Sequence, residues 1–163
     1  MNIAQAVLSA GVVNPDSWGI DWAWGLPLIV LTVVIHVLGL GLIGQKIGAS
    51  SSRISERRHP TGSFVLVVGT TTLLAICLHA VETAIWAVAY RLLDALPDQR
   101  SAMLYSLSAI TSYGHANLEL KAPWQLMGAM EALNGWLLFG LTTAFLFAMI
   151  ERVWSLTGKR GRG

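Results

Sequence analysis

Four ionisable side chains stand inside stretches that are otherwise apolar: His36, His79, Glu82 and Glu131. His79 and Glu82 are one helical turn apart, so on a helix they face the same way. Imidazole and carboxylate are donor types that suit zinc or iron, and His36 reaches the pair if its stretch packs beside theirs. The metal-ligand candidates are therefore His36, His79 and Glu82, and the same groups can carry protons. A charge at mid-bilayer costs about 2.5–3.5 kcal/mol on insertion scales, so each such residue needs a reason to be there. The simpler expectation is that Glu82 and Glu131 hydrogen-bond a loop buried between helices, and that His36 is a neutral interhelical hydrogen bonder. No nucleophile–base pair, phosphate loop or dinucleotide fingerprint accompanies them, so neither an enzyme nor a nucleic-acid binder is expected.

Composition fixes the elements that must position these groups. The chain has 163 residues, 54% of them hydrophobic and 12% charged, with a mean hydropathy of +0.58. A soluble domain carries about 25% charged residues, so a water-facing globule and a disordered chain are both excluded. Cys77 is the only cysteine, which excludes a disulfide scaffold within the chain. The expected class is an all-α integral membrane protein. A helix crossing the ~30 Å hydrocarbon core needs about 20 residues, and three stretches supply them: 26–45, 64–93 and 124–152. Residues 1–25 read as an outward-facing or interfacial segment, with a turn at Asn14-Pro15-Asp16. Residues 46–63 read as a basic cytoplasmic loop with Pro60 and Gly62 as breakers, and 153–163 as a basic cytoplasmic tail.

Lys46, Arg53, Arg57 and Arg58 follow the first span, and Arg152, Lys159, Arg160 and Arg162 follow the third. By the positive-inside rule both groups are cytoplasmic. This predicts three crossings of a bacterial-type inner (plasma) membrane, with the N-terminus outside and the C-terminus inside. Asp16, Asp21, Asp94, Asp98 and Glu119 then lie outside, and Trp18, Trp22, Trp24 and Trp124 mark the outer interface.

The segment between the second and third spans is mildly apolar and does not read as a solvated loop. Asp98 is an N-cap for a helix from Gln99 to about Ile110, which is too short to cross. It enters from outside and stops in mid-membrane, and the chain returns through Thr111-Ser112-Tyr113-Gly114-His115. Non-helical backbone at that depth survives only when buried in protein or lining water. Residues 98–116 therefore read as a re-entrant pore helix and loop.

Leu104-Tyr105-Ser106-Leu107-Ser108-Ala109-Ile110-Thr111-Ser112-Tyr113-Gly114-His115 resembles the pore helix and filter of the potassium-channel superfamily. The resemblance continues in His79-Ala80-Val81-Glu82, Ile85-Trp86-Ala87 and Tyr90, similar to the outer helix of small bacterial two-helix pore modules. Glu131-Ala132-Leu133-Asn134-Gly135 and Phe139-Gly140-Leu141-Thr142-Thr143-Ala144 are similar to their inner helix. It covers a module over about 64–152, with an extra span before it. The resemblance implies that Ile110, Thr111, Ser112, Tyr113, Gly114 and His115 form the filter. It also implies that Glu82 and Glu131 support that filter.

Aligning Tyr113-Gly114 with the family's Tyr-Gly pair puts Ser112 where the filter has its first glycine and His115 where it ends in aspartate. Carbonyl rings replace the ion's hydration shell in such filters, so the serine predicts an incomplete set and weak K⁺ over Na⁺ preference. Four histidines at the mouth gain positive charge in mildly acid solution and oppose cation entry there. One short loop cannot surround an ion, so a homo-oligomer around a central axis is expected, a tetramer in the lipid bilayer. The expected function is passive monovalent cation transport, with no resident cofactor and K⁺ or Na⁺ as permeant ion. The alternative is a non-conducting protein that binds a metal ion, protons or a partner subunit through its intramembrane His and Glu residues. Gly135 and Gly140 have two readings, a gating hinge, kept for Gly135, or close helix packing, which they share with Gly128, Ala132 and Ala144.

Overall fold

The computed structural model describes residues 15–54, 60–114 and 117–158, and among them the chain is helical with no strand. Helix α1 runs Pro15–Ile54, α2 Pro60–Leu92, α3 Gln99–Ile110 and α4 Gln125–Gly158, the last preceded by a 3₁₀ turn at Ala122–Trp124. Three of them contain spans long and apolar enough to cross a membrane: Trp18–Ile47, Phe64–Leu92 and Ala122–Arg152. The 12 residues of α3 reach only about 18 Å at 1.5 Å per residue.

Both ends of the first span lie further out than the sequence suggests. The helix begins at Pro15, not near Leu26, and carries the tryptophans within it. Proline suits the first helical position because its missing N–H has no intrahelical partner there. Pro27 lies inside the same helix, where it removes a donor for the Ala23 carbonyl without ending the helix. The basic segment is also more helical than expected. Residues up to Ile54 belong to α1, and Pro60 starts α2 in place of breaking a loop. The Arg57 and Arg58 of that segment, like Lys159, Arg160 and Arg162 in the tail, lie outside the described residues.

Side-chain contacts give the register of the bundle. Along α1 and α4, Thr32 meets Asn134, His36 meets Thr142 and Gly44 meets Phe145, so the two helices run parallel. Between α1 and α2, His36 meets Glu82 and Gly39 meets Leu78, so α2 runs the other way. The glycines permit these approaches. A Cβ at Gly39 would stand 2.7 Å from Leu78, and one at Gly25 would stand 2.6 Å from Met130. Such contacts are the usual way helices associate in lipid, where small residues replace hydrophobic driving force.

Burial is inverted relative to a soluble bundle. Val30, Leu38, Leu66, Leu73, Trp136 and Phe147 are exposed, whereas Thr32, His36, Thr71, Glu82, Glu131 and Asn134 are buried. Lipid tails accept the apolar faces, and the polar groups find partners only between helices. Asp21, expected among the outward charges, is buried too. It faces the Met127 backbone N–H in the first turn of α4, where the helix has unpaired donors.

The apolar core clusters around α3. Trp86, Ala87 and Tyr90 of α2, Leu96, Ala102 of α3, Leu120, and Met127 and Met130 of α4 are all buried there. Asp98 caps α3 as expected, accepting from the Ser101 hydroxyl at 2.7 Å and its backbone N–H at 2.9 Å. Those bonds hold the Asp98 carboxyl below the ordinary carboxylate range. The connection on either side of α3 is closed by Lys121, which pairs with Asp94 at 2.5 Å and lowers the pKa of that carboxyl.

Candidate functional site

The end of α3 is where the expected filter residues fall. Ile110 is the last helical residue and is buried. Thr111 is the C-cap, and its hydroxyl turns back to the Leu107 carbonyl at 2.7 Å. Ser112 adopts φ 54°, a left-handed conformation. Its N–H donates to the Ala109 carbonyl and that of Tyr113 to the Ser108 carbonyl, both at 2.9 Å. This is a Schellman closure, whose left-handed position ordinarily belongs to glycine. The serine side chain is tied down as well, because the Trp136 indole N–H donates to its hydroxyl at 2.9 Å. Tyr113 is 87% exposed, Gly114 has φ 80°, and His115 lies outside the described residues.

Depth in the bundle is set by Gly135. A Cβ on this residue would come within 2.0 Å of the Ile110 carbonyl oxygen, so α3 ends against the interior of the Ala122–Arg152 span. Two turns earlier on the same face, Gly128 closely approaches the Tyr105 side-chain hydroxyl, whereas Gly140 has open space. Beside the Ile110–Gly135 contact lies a cavity of about 510 Å³, lined by His79, Thr83, Leu107, Thr111, Ser112 and Phe139 among others.

Glu131 is the support for α3. It is fully buried and accepts from the Tyr90 hydroxyl at 2.7 Å. Its other oxygen makes a short hydrogen bond with Ser106 of α3. The Ser106 hydroxyl is also 2.8 Å from the Thr83 carbonyl, so one carboxyl gathers α2, α3 and α4. Comparison with protein families, curated proteins and solved structures found no match.

Glu82 is placed differently from Glu131. Its partners among the described residues are the two histidines and no group of α3. His36 Nδ1 is 2.8 Å from Glu82 Oε1, and His79 Nδ1 is 3.3 Å from Oε2. The Nε2 atoms of both rings lie 3.0 Å from the Thr142 hydroxyl of α4. His36, Glu82, His79 and Thr142 thus form a closed ring across three helices. The three metal-ligand candidates are brought together, each offering a donor atom within 4.8 Å of the others.

Four participants have no role assigned from the sequence: Thr142 in this ring, Tyr90 and Ser106 on Glu131, and Thr32, which accepts from the Asn134 amide at 2.8 Å. One signal for them is present in the sequence. Glu131, Asn134 and Thr142 recur at helical spacing on one face of α4, and Asp21, Thr32 and His36 do so on α1.

Proposed function

We propose that the chain is a pore-loop cation channel, assembled as a symmetric homo-oligomer, a tetramer, in a bacterial-type inner membrane with its N-terminus outside. The observation that carries this reading is the ending of α3. A helix too short to cross lies between two spanning helices and stops against Gly135 in the interior of one of them. There it turns at left-handed Ser112, the position that the resemblance assigns to a filter glycine. In the assembly, α3 is the pore helix, and its C-terminal end directs the negative pole of its dipole at the axis.

Residues 110–115 line the narrow part of the pathway. Thr111 turns its hydroxyl back to α3, and Ser112 is held in the left-handed turn that closes the helix. Fewer oxygens are then free to replace hydration water. Discrimination between K⁺ and Na⁺ depends on the number and field of such oxygens, so both ions pass at similar rates. Exposed apolar residues near α3, such as Leu104, Leu107, Leu133 and Leu137, are the contacts for neighbouring copies. The basic-residue asymmetry supports the orientation.

Flux from liposomes holding the purified protein tests the function. K⁺ and Na⁺ are expected to leave at comparable rates and large organic cations to be retained. Protein that is folded and oligomeric yet passes none of these ions contradicts the reading.

A further inference from the structure

The ring of His36, Glu82, His79 and Thr142 has four contacts and too few protons to make four hydrogen bonds. With Glu82 ionised and both imidazoles neutral, three protons are present: one on each imidazole and one on the Thr142 hydroxyl. Four hydrogen bonds need four. The shortage falls on the longest contact, His79 Nδ1 to Glu82 Oε2 at 3.3 Å, and Glu82 Oε2 has no hydrogen-bond partner among the described residues. Glu82 is fully buried, so this is an acceptor facing another acceptor inside the bundle, an arrangement that a cation between them relieves.

We infer, independently of whether the pore conducts, that His36, His79 and Glu82 bind one divalent transition-metal ion per chain, with Thr142 orienting both imidazoles. In this arrangement each ring carries its proton on Nε2 and donates it to the Thr142 hydroxyl, which has two lone pairs to accept them. Both Nδ1 lone pairs then face Glu82. A tetrahedral ion with ligands at 2.0–2.1 Å separates its donors by about 3.3 Å. The two nitrogens stand 2.8 Å and 3.3 Å from different oxygens of Glu82 and the three donors lie within 4.8 Å of one another, so the side chains close by up to about 1.5 Å around one ion. Histidine nitrogens held through their far N–H groups are the usual outer arrangement of such sites. Two imidazoles and a carboxylate suit Zn²⁺ or Fe²⁺ better than the hard cations Mg²⁺ and Ca²⁺.

Access and charge are consistent with the same assignment. His36 and Glu82 are fully buried, whereas His79 is 27% exposed and lines the cavity beside α3. The ion enters past that imidazole, and a fourth position remains on the cavity side for water, hydroxide or halide. An anionic fourth ligand balances the one net positive charge left by a divalent ion and a single carboxylate.

The test is metal binding by the purified full-length protein after chelator treatment. Zn²⁺ is expected to bind at one ion per chain, and Co²⁺ to give the visible absorption of a four-coordinate nitrogen–oxygen site. A Cys77→Ser/His59→Gln/His115→Gln variant is expected to retain that stoichiometry, which separates the site from other metal-binding side chains. His79→Ala and Glu82→Gln should weaken binding more than tenfold. Thr142→Val should weaken it about 10–100-fold at unchanged stoichiometry, as loss of an outer hydrogen-bond partner does. The Co²⁺ spectrum of the unaltered protein needs no variant to fold. Absence of stoichiometric binding to folded protein, or binding that survives His79→Ala with Glu82→Gln, overturns the assignment and leaves a proton as the ring's fourth partner. Neither result bears on cation flux, which is measured separately.

Discussion

Gly135 of α4 abuts the last carbonyl of α3 so closely that a Cβ on it would stand 2.0 Å from the Ile110 oxygen. The contact is backbone against backbone, which no rotamer change relieves. Alanine in a helix interior ordinarily gains about 0.5–1 kcal/mol over glycine, but overpacking of this kind costs about 1–3 kcal/mol. Gly135→Ala is therefore expected to lower thermal stability in detergent, whereas Gly140→Ala, at a position with open space, is expected to raise it slightly. A hinge role without tight packing predicts the same modest gain at both positions.

Ser112 joins two effects that substitution can separate. Its φ of 54° is costly for a residue with a Cβ, by roughly 1–2 kcal/mol at left-handed values, and its hydroxyl accepts from Trp136. Ser112→Ala and Ser112→Gly both lose that hydrogen bond, but only glycine also relieves the backbone. The glycine variant is expected to be more stable than the alanine variant by about 1 kcal/mol, measured by thermal unfolding. Equal stabilities would show that the left-handed turn is not formed.

Glu131 is expected to tolerate glutamine and not alanine. The Ser106 hydroxyl has one proton and two neighbours, Thr83 O and Glu131 Oε1, so satisfying both contacts needs a proton on the carboxyl. Glutamine supplies an N–H donor in that place and an oxygen for Tyr90. Alanine leaves Tyr90 and Ser106 without their shared partner, at a cost of about 1–3 kcal/mol for each buried group left unpaired. Oligomer survival on heating, read by gel filtration, should fall strongly for Glu131→Ala and little for Glu131→Gln. Equal loss in both variants would show that the carboxylate charge is what matters.

The N-cap of α3 and the connections that flank the helix carry an acid dependence of known sign. Ser101 lowers the pKa of Asp98, and Lys121 lowers that of Asp94, from the ordinary value of 3.8. A depressed carboxyl stabilises the fold at all pH values above its unfolded pKa, and that contribution is lost as pH falls through the folded pKa. Stability due to this pair of contacts is thus flat from neutral pH to about 5 and declines below about 4. Asp98→Asn keeps a good helix cap while removing one titration, so its melting temperature should fall less between pH 5 and pH 3 than that of the unaltered protein. An identical fall would mean that the cap does not titrate in this range.

Much of this architecture is legible in the sequence, and the gaps have physical causes. The spans stand out because apolar runs of sufficient length have few other uses, and α3 follows from Asp98 beside a run too short to cross. The start of α1 at Pro15 is obscured because Asn14-Pro15-Asp16 reads as a turn, although proline suits a helix start. In sequence Glu82 stands one turn from His79 and Glu131 does not, yet the resemblance gives both glutamates the same supporting role. Only the register of α1 against α2 gives Glu82 to His36 and leaves Glu131 to Tyr90 and Ser106. Thr142 is invisible as a partner of histidine because a threonine in a spanning helix usually bonds its own helix backbone, as Thr71 does with Val67.

Ion passage through the turn at the end of α3 is the central claim, and Tyr113, which is 87% exposed in the single chain, tests it most directly. Tyr113→Cys, made with Cys77→Ser so that one thiol remains, is reconstituted in liposomes and treated from the side where α3 enters with a membrane-impermeant, positively charged thiol reagent. Cation flux is expected before labelling and should fall to background once the introduced thiol of every subunit is modified, while the Cys77→Ser parent is unaffected. Undiminished flux after complete labelling would contradict a pathway through this loop.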